Sequence, residues 1–515
     1  MHTPVNVRFA PSPTGALHIG SARTVLYNYL LAKKHGGRFV LRIEDTDQKR
    51  FVPGAENYIL DSLRWLGIVP DEGPEQGGAL GPYKQSERTA LYQTHLKPLI
   101  EAGHAYYAFD TPEEIEAMRE RLKAARVPNP QYNAVSREWM KNALTMPKEQ
   151  TEAWIASGKP YVVRLKVPHK EPIRFQDAVR GWVKVDSSVL DDKVLMKSDG
   201  IPTYHFANVV DDYLMQITHV IRGEEWLPST PIHLLLYRYL GWTDHIPQFV
   251  HLPLLLAPNG SGKLSKRHAD QYGFPVFPIA WNTPELTVND AFREQGYLPE
   301  ALLNLLALLG WNPGTNQEVF TKQELIEAFS LERLGKSSVN FDIAKAKWFN
   351  QQHIKKEGAV AWARYLIAEA GKEGIHCSEK EAINICERIK ERVTFPKDFW
   401  LEGRFFFFPP DHYDVACVQK KWTPQTQEVL FCVANALATL PEWNQGTLKQ
   451  LLQEACNNQC IPMGSILPLL RMALTGATAG PDLLEVLVVL GKTKSHQRLV
   501  AFLDRIPGLL QKKRE

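Results

Sequence analysis

The chain has 515 residues, 44% of them hydrophobic, which is enough for three or more structural units with cores of their own. Its 60 basic and 57 acidic residues leave a net charge of +3, which excludes no class of partner, because nucleic-acid binding can rest on one local patch. No apolar run approaches the roughly eighteen residues of a membrane span, and the first strand-like run starts at Val5. We therefore expect a cytoplasmic protein with no membrane partner.

A strand, a glycine-broken loop, a helix and a second strand are predicted at the start of the chain. Residues 5–9 are β-branched and aromatic, residues 21–35 contain neither Pro nor Gly, and residues 38–43 form a second strand-like run. This order is typical of a βαβ unit, whose ligand site lies beyond the carboxyl ends of its strands. We expect His18 and Gly20 at that edge of the sheet.

The loop before the first helix has the features of a phosphate site. A helix N-terminus offers unpaired backbone N–H groups and a partial positive charge, so phosphate could approach the backbone at Gly15 and Gly20. The loop contains neither G-x-x-x-x-G-K-[ST] nor G-x-G-x-x-G, which disfavours a P-loop kinase or an ordinary dinucleotide dehydrogenase. His18 then becomes the expected phosphate donor. On its own, such a loop is more often a structural turn.

The predicted sheet is interrupted by an insertion. Short strand-like runs indicate an α+β insertion rich in hairpins: residues 106–109, 161–167 and 182–185. The parallel-sheet pattern resumes at two predicted strands, over residues 204–210 and 216–221, followed by a predicted helix. The insertion therefore splits the nucleotide-binding unit into two halves.

The last part of the chain, from about Val288 onward, has almost entirely helical patterns. This periodicity fits a helical bundle or superhelix. The predicted helices cover residues 300–309, 322–329, 341–350, 357–370, 379–392, 425–440, 448–456, 468–475 and 482–490.

A second basic loop, NGSGKLSKRH, occupies residues 259–268. Lys263, Lys266 and Arg267 lie on flexible backbone just past the last strand of the split unit, where they could close on a triphosphate. An exposed basic loop without a ligand is the alternative, and for one such loop alone it is the better interpretation.

The motifs taken together resemble bacterial glutamyl-tRNA synthetases, a branch of the class I aminoacyl-tRNA synthetases, over nearly the whole chain. HIGS resembles the class I HIGH signature with a small fourth residue, and KLSKR resembles the KMSKS loop with Leu for Met and Arg at the end. In chain order the matching stretches are FAPSPTG (9–15), HIGS (18–21), RIEDTD (42–47), GPYKQSER (81–88), VIRGEEW (220–226), KLSKR (263–267), LTG (474–476) and LGK (490–492).

The resemblance implies an α/β fold with a Rossmann-like catalytic domain split by an α+β insertion and followed by an all-α anticodon-binding region. Residues 1–100 and 203–262 would form the two halves of the catalytic domain. Residues 101–202 would be the connective insertion that binds the acceptor stem. Residues 263–347 would carry the KMSKS-like loop and a helical stem-contact domain, and residues 348–515 the anticodon-binding region.

The reaction implied is ATP-dependent formation of glutamyl-adenylate, followed by transfer of glutamate to the terminal ribose of tRNA(Glu). No covalent enzyme intermediate is needed, so catalysis depends on orientation and on charge placed at the phosphoryl transition state. His18 and Lys266 are expected to supply that charge, with Lys263 and Gly20 holding the phosphates and Mg²⁺ sharing the pyrophosphate charge. The expected ATP-binding residues are Ser12, Gly20, Glu225, Trp226, Leu255, Lys263, Leu264, Ser265, Lys266 and Arg267.

Selection of glutamate requires cations for two carboxylates and an anion for the ammonium group. By resemblance, Arg8, Tyr204 and Arg222 face the side-chain carboxylate. Glu44 would bind the α-amino group, and Ala10 and Asn208 would complete the amino-acid pocket. For Glu44 and Arg222, an ordinary structural ion pair is the alternative. No editing domain is expected, because a charged side chain can be discriminated strongly at one site.

Two further expectations concern metal and tRNA. Some relatives carry a cysteine-rich zinc knob in the insertion, whereas the corresponding YYAF stretch at residues 106–109 has no cysteine, so we expect no zinc. Arg392 is the candidate for reading the third anticodon base, and a structural salt bridge to Glu391 or Asp398 is the alternative. A monomer is the expected state.

Alternative functions remain from several classes. A glutaminyl-tRNA synthetase usually has a β-barrel anticodon module, which the helical last third does not resemble. A non-discriminating enzyme would also charge tRNA(Gln). A paralogue that modifies a tRNA base would lack the last third, a non-catalytic RNA-binding descendant would lose the phosphate-binding residues, and a small-molecule nucleotidylyltransferase would need no helical region.

Overall fold

A computed structural model describes residues 4–260, 262–282 and 287–511, without the side chains of Lys266, Ala269 and Asp270. The chain divides into two compact units, Met1–Ala346 and Lys347–Glu515. Within the described residues, no helix is long and apolar enough to cross a lipid bilayer.

All strands of the described residues belong to the first unit. They are β1 (Val7–Phe9), β2 (Phe39–Leu41), β3 (Ala105–Ala108), β4 (Val162–Leu165), β5 (Pro172–Asp177), β6 (Gly181–Asp186), β7 (Val194–Met196), β8 (His219–Gly223), β9 (Gln248–Leu252), β10 (Leu255–Leu256), β11 (Trp281–Asn282), β12 (Thr287–Val288) and β13 (Val339–Asn340). The helices up to the boundary are α1 (Ile19–Lys34), α2 (Ala55–Trp65), α3 (Thr89–Glu101), α4 (Pro112–Ala124), α5 (Lys148–Ala156), α6 (Tyr204–Leu214), α7 (Thr230–Tyr239), α8 (Lys266–Tyr272), α9 (Phe292–Gln295), α10 (Pro299–Leu308) and α11 (Lys322–Ala328).

A six-stranded sheet with the order β2-β1-β8-β9-β5-β6 forms the centre of the first unit. Strands β2, β1, β8, β9 and β5 run parallel, and β6 closes the edge in an antiparallel hairpin with β5. Helix α1 connects β1 to β2, so the predicted βαβ unit is confirmed. Because the strands are parallel, the residues that follow β1, β8 and β9 share one edge of the sheet.

The insertion forms a separate antiparallel sheet with the order β3-β4-β7. The hairpin β5–β6 does not join it, although it lies inside residues 101–202: Asp177 of β5 pairs with Phe249 of β9 in the main sheet. The alternation of the hairpin indicates one buried face but does not show which sheet its edge will pair with. The assignment of residues 182–185 to an insertion hairpin is therefore wrong.

The strand predicted over residues 204–210 is also wrong, because this segment is the first part of helix α6. The residues from Phe206 to Asp212 are all buried. Residues 204–210 form a short run with aromatic and β-branched side chains, which fits a buried strand as well as a helix when only this segment is considered.

The second unit is entirely helical in its described part, as predicted. Its helices are α12 (Ile343–Lys372), α13 (Glu379–Ile389), α14 (Asp398–Gly403), α15 (Val415–Lys421), α16 (Pro424–Thr439), α17 (Gln445–Asn458), α18 (Leu467–Thr475) and α19 (Leu483–Gln511). Helix α12 begins just before the boundary. Gly358 in α12 and Gly491 in α19 have positive φ angles of 79° and 76°, which interrupt each helix, and the chain continues as helix beyond each of them. The sequence pattern missed α14, α15 and the second half of α19.

A buried ionic cluster fixes α6 against the segment that precedes α3. Asp211 accepts hydrogen bonds from Arg88 Nε at 2.6 Å, Gln85 Nε2 at 2.8 Å and the Tyr92 hydroxyl at 2.9 Å. Arg42 Nε lies 3.6 Å from the same carboxylate. Since buried charges are stable only when paired, this cluster specifies where α6 packs.

Replacing Arg88 with Met should destabilise the first unit. The variant leaves Asp211 buried with only the more distant guanidinium of Arg42, and breaking a buried pair in this way costs about 3–5 kcal/mol. Urea unfolding followed by fluorescence should therefore show a lower midpoint. Lys97→Met, which removes an exposed 3.7 Å pair with Glu101, is the control and should leave the midpoint unchanged. Equal behaviour of the two variants would contradict this role of the cluster.

Candidate active site

A cleft of about 790 Å³ opens at the carboxyl ends of β1, β8 and β9. Fifteen residues predicted from the sequence line it: Arg8, Ala10, Ser12, His18, Gly20, Glu44, Tyr204, Asn208, Arg222, Glu225, Trp226, Leu255, Lys263, Leu264 and Ser265. Arg267 is exposed and does not line the cleft, and the side chain of Lys266 lies outside the described residues. The structure thus brings together both halves of the split unit and the first turn of the basic loop.

Arg8, which lines the cleft, and the fully buried Arg42 share one buried carboxylate. Arg8 Nε donates to Asp212 at 3.1 and 3.3 Å, and Arg42 Nη1 donates to the same carboxylate at 2.8 Å. Although burial opposes it, these guanidinium groups hold the pKa of Asp212 below its ordinary value. The structure gives hydrogen bonds with described residues only at Nε of Arg8, so its two terminal nitrogens can receive an anion from the cleft.

Arg222 is buried but forms no ion pair with any described carboxylate. Its Nε donates to His251 Nε2 at 3.0 Å, and Nη1 donates to the Tyr204 hydroxyl at 2.9 Å. Its Nη2 donates to the Trp226 carbonyl at 3.2 Å and to Thr230 Oγ1 at 3.0 Å. These four acceptors are neutral, and a guanidinium has five N–H donors, so one N–H of Nη1 has no partner among them. The alternative of a structural ion pair is therefore wrong for Arg222 within the described part of the chain.

Glu44 presents one carboxylate oxygen to the protein. Oε1 accepts from Arg42 Nη2 at 3.0 Å and from Asn208 Nδ2 at 2.9 Å. Burial raises the pKa of Glu44, while the charges of Arg42 and Arg8 act in the opposite direction. For Oε2 the structure gives no hydrogen bond with a described residue, which makes this oxygen available to a cation in the cleft. The structural ion pair with Arg42 and a ligand contact can coexist on one carboxylate.

His18 is a neutral donor rather than a charged one. Its Nδ1 accepts a hydrogen bond from the Gly20 backbone N–H at 3.1 Å and so caps helix α1. Burial, assisted by the nearby charge of Lys263, lowers the pKa of His18 to about 4. The proton of the neutral ring must therefore be on Nε2, which is buried without a hydrogen-bond partner among the described residues. The lowered pKa favours the neutral ring, and the role of His18 at the phosphoryl group stays a prediction.

The N-terminus of α1 has fewer available donors than the sequence suggested. Ile19 N donates to the Val276 carbonyl at 2.9 Å, Gly20 N to His18 Nδ1, and Ser21 N to the His18 carbonyl at 2.8 Å. These first-turn N–H groups are therefore used within the protein. What remains for an anion is the helix dipole and the Nε2–H of His18.

The basic loop reaches the cleft through Lys263. Hydrogen bonds from Leu264 N to the Leu255 carbonyl at 2.8 Å and from Ala257 N to the Gly262 carbonyl at 3.0 Å fold it back as a turn. Lys263 Nζ then lies 2.9 Å from Glu225 Oε1. This pair is largely exposed, so it holds the loop only weakly and leaves the ammonium able to exchange partners.

The comparisons with known proteins agree along the whole chain. A family model described as the catalytic domain of class I tRNA synthetases for Glu and Gln matches residues 4–348, and a model described as an anticodon binding domain matches residues 357–503. A glutamate–tRNA ligase of Amoebophilus asiaticus is 58% identical, covering 97% of this chain and 98% of that protein. A glutamate–tRNA ligase of Cytophaga hutchinsonii is 55% identical, covering 96% of each chain. The chain belongs to the glutamate–tRNA ligase family.

The fold agrees with that family as well. A crystal structure of a glutamate tRNA ligase from Elizabethkingia meningosepticum, in complex with its amino acid, matches with a TM-score of 0.92 and 41% identity over 98% of this chain and all of that chain. The predicted fold class, a class I catalytic domain followed by an all-helical anticodon-binding domain, is confirmed. The glutaminyl branch is not favoured.

Sequence reasoning missed several charged and imidazole side chains around the cleft. Arg42 and Asp212 hold Arg8, and His251 holds Arg222. Arg42 lies in the RIEDTD motif, but nothing in that motif shows that its side chain points away from the cleft. Asp212 was hidden by the incorrect strand assignment, which gave no reason to expect an acid at this position of a helix. His251 lies within the buried strand β9 and belongs to none of the recognised motifs.

The insertion is held together by hydrogen bonds in the region where some relatives carry zinc. Asp192 accepts from the Tyr106 hydroxyl at 2.6 Å and from Arg137 Nη1 at 3.1 Å, and Asp110 accepts from the Tyr132 hydroxyl at 3.0 Å. Among the described residues, no group of three or more His, Cys, Asp or Glu is placed to hold a metal ion. The expectation of no zinc stays a prediction.

Arg392 in the second unit forms an ion pair, but not with the neighbours expected from the sequence. Its Nε donates to Glu402 Oε2 at 2.8 Å. Glu391 instead pairs with Lys355 at 2.5 Å, and Asp398 accepts from the backbone N–H of Phe395 at 2.8 Å. The partner comes from α14, a helix that the sequence pattern did not reveal.

The neutral state of His18 can be measured directly. With ¹⁵N-labelled histidine, the His18 ring should remain neutral, with its proton on Nε2, from pH 8 to pH 5, and should gain its second proton only near pH 4. The signal is assigned by its loss in His18→Asn, a variant that keeps a side-chain cap for α1. Protonation of this ring near pH 6.5 would contradict the neutral-donor assignment.

Proposed function

We propose that the cleft joins L-glutamate to the 3′-terminal adenosine of tRNA(Glu) in two steps, with glutamyl-adenylate as the intermediate. The observation that carries this proposal is the buried Arg222, which faces the cleft without a carboxylate partner among the described residues. Burial lowers the pKa of this guanidinium, but arginine stays protonated in proteins. A substrate with a side-chain carboxylate supplies the negative charge that no described residue places next to Arg222.

The glutamate side chain is bound at one end of the cleft. Its carboxylate receives hydrogen bonds from the terminal nitrogens of Arg8 and from the remaining N–H of Arg222. The hydroxyl of Tyr204, which accepts from Arg222, donates its own proton to the same carboxylate. Burial raises the pKa of Tyr204, so the hydroxyl keeps that proton. A glutamine amide would place its own donors against these donors, which disfavours it.

The amino-acid backbone lies toward the opposite side of this pocket. The ammonium group of glutamate pairs with Oε2 of Glu44. The second N–H of the Asn208 amide is available to the α-carboxylate, because the first is bound to Glu44. Ala10, at the end of β1, leaves room for the substrate backbone.

In the first step the α-carboxylate attacks the α-phosphorus of ATP. A bond forms between a carboxylate oxygen and phosphorus, the bond to the bridging oxygen breaks, and pyrophosphate leaves with the electron pair. The carboxylate is already ionised, so the enzyme supplies orientation and stabilises the charge on the phosphoryl oxygens. His18 donates its Nε2–H to one of these oxygens, and Lys263 and Lys266 contribute positive charge.

ATP is bound between the HIGS segment and the basic loop. Ser12, Trp226, Leu255, Leu264 and Ser265, which all line the cleft, are the residues proposed to contact the nucleotide. Gly20 is suited to this position, since a β-carbon there would contact only His18 and would point into open space of the cleft. Lys263 exchanges Glu225 for a phosphate, and Arg267 follows it when the loop closes. Mg²⁺ enters as part of the ATP substrate, held by phosphate oxygens and water.

In the second step the terminal ribose hydroxyl of the tRNA attacks the adenylate carbonyl, and AMP leaves. Residues 101–202 are proposed to contact the acceptor stem, residues 263–347 the stem beyond it, and residues 348–515 the anticodon. The working state is proposed to be a cytoplasmic monomer without zinc.

ATP–pyrophosphate exchange and tRNA charging test the proposal. Glutamate should support both reactions, whereas glutamine, or the absence of any amino acid, should not. Comparison of tRNA(Glu) with tRNA(Gln) shows whether the enzyme also charges tRNA(Gln). His18→Asn keeps the helix cap but loses the Nε2–H, so the rate of adenylate formation should fall by about 10²–10³ with little change in glutamate binding.

His18→Gln is the matched control for that variant. Its amide can place an N–H near the position of Nε2, so it should lose less rate than His18→Asn although it is the poorer cap. Near-normal single-turnover rates in His18→Asn would remove His18 from the mechanism. Exchange supported by glutamine as well as by glutamate would overturn the proposed substrate.

Arg392 is proposed to read the third anticodon base, and its pairing with Glu402 provides the control. Arg392→Gln should lower kcat/KM for tRNA(Glu) by about tenfold or more, because both stacking and edge hydrogen bonds are lost. Glu402→Gln frees the arginine and should leave charging nearly unchanged. Equal losses in the two variants would identify the pair as structural.

A further inference from the structure

Arg222 is oriented at both ends of its guanidinium group. The terminal nitrogens contact Tyr204 and Trp226, which line the cleft, and the buried Thr230. The Nε faces the opposite way, toward His251 on the adjacent strand β9, where Arg222 and His251 are paired in the sheet register. The direction of the Nε bond therefore determines where the remaining N–H of Nη1 points.

His251 can accept this bond in only one of its tautomers. Its Nε2 must be unprotonated to accept from Arg222 Nε, so the ring proton lies on Nδ1. Nδ1 is 2.6 Å from Oδ2 of Asp177, and both side chains are fully buried. Burial lowers the pKa of His251, and the hydrogen bond with Asp177 acts in the opposite direction. The imidazole is thus a neutral bridge between a carboxylate and a guanidinium.

Asp177 is itself fixed by the turn of its hairpin. Oδ1 accepts from Val179 N at 2.9 Å and from Arg180 N at 2.8 Å, which leaves Oδ2 for His251. Although burial opposes it, the hydrogen bonds from His251 and from these backbone groups hold the pKa of Asp177 below its ordinary value. Neither Asp177 nor His251 lines the cleft.

We propose that Asp177 and His251 are positioning residues for glutamate selection. They orient Arg222 without neutralising its positive charge, which stays available to pair with the carboxylate of the substrate. This inference rests on the proposed function of the cleft. A carboxylate in direct contact with Arg222 would neutralise it and compete with the glutamate side chain. Placing the carboxylate one imidazole further away compensates the buried charge at a distance and leaves the terminal N–H available.

Asp177→Asn tests the chain of bonds without changing its shape. The two backbone donors require an oxygen at the Oδ1 position, so the new amide must direct its NH₂ at His251 Nδ1. That ring nitrogen then becomes the acceptor, and the proton moves to Nε2, where it faces the N–H of Arg222. KM for glutamate should rise by about 10- to 100-fold, because a bond to a charged group is lost. KM for ATP should stay unchanged.

Two substitutions of His251 form a matched pair. Gln can place an oxygen near the former Nε2 and still accept from Arg222. Asn reaches only as far as the former Nδ1, so it can donate to Asp177 but offers no acceptor to Arg222. His251→Gln should therefore retain most of the glutamate affinity, whereas His251→Asn should lose it as Asp177→Asn does. Discrimination against glutamine should fall in the same two variants.

Asp192→Asn controls for the loss of any buried carboxylate. Its hydrogen bonds go to Tyr106, Arg137 and Val167, none of which lines the cleft. This variant should keep the KM for glutamate even if its thermal midpoint falls.

The outcomes separate the inference from the function on which it rests. A normal KM for glutamate in Asp177→Asn and His251→Asn, with wild-type enzyme charging tRNA(Glu), overturns the inference and leaves the function intact. An equal rise of KM for glutamate and ATP also overturns it, since that indicates a general structural defect. Wild-type enzyme that does not use glutamate overturns the proposed function itself.

Discussion

A guanidinium group that is buried with no described carboxylate beside it is the constraint on which the first unit depends. Burying a charge is costly, and proteins normally pair it. Here Arg8 and Arg42 share Asp212, while Arg222 is surrounded by neutral acceptors and by a carboxylate one imidazole away. The surrounding structure therefore has to hold Arg222 in place by hydrogen bonds alone. Four elements contribute to this: the first residue of α6, the turn after β8, the start of α7 and strand β9.

The same region shows why the catalytic unit needs both of its halves. Arg8 is the second residue of the first strand, whereas its partner Asp212 lies 204 positions later in α6. Glu44 and Asn208 are likewise separated by 164 positions. Each of these two contacts therefore takes one side chain from each half of the catalytic unit. The separate sheet β3-β4-β7 contributes none of the four side chains in these two contacts.

The class I motifs made the catalytic edge predictable, because a short strand, a glycine loop and a helix fix where their ends meet. Arg8, His18, Glu44 and Lys263 consequently lie where the sequence placed them. The protonation of His18 could not be read in this way, since it depends on burial by residues far along the chain. Helix α6 was misassigned because its first seven residues form a short run with aromatic and β-branched side chains, which fits a strand as well as a helix. The error left Asp212 outside any predicted element. The β5–β6 hairpin shows a third limit. Its sequence pattern does not show which sheet the hairpin joins, because tertiary packing decides which strand pairs with its edge.

The order of strands in the main sheet has a consequence for folding during synthesis on the ribosome. Strand β1 lies between β2, which follows within one helix, and β8, whose neighbouring Thr218 bonds to Asn6 across 212 positions. At about 5–20 residues per second, β1 waits on the order of 10–40 s for this partner. Throughout that interval one edge of the first βαβ unit is unpaired, together with its apolar face. This edge closes only after β8 has been made, so we expect the segment to be a target for chaperone capture during synthesis.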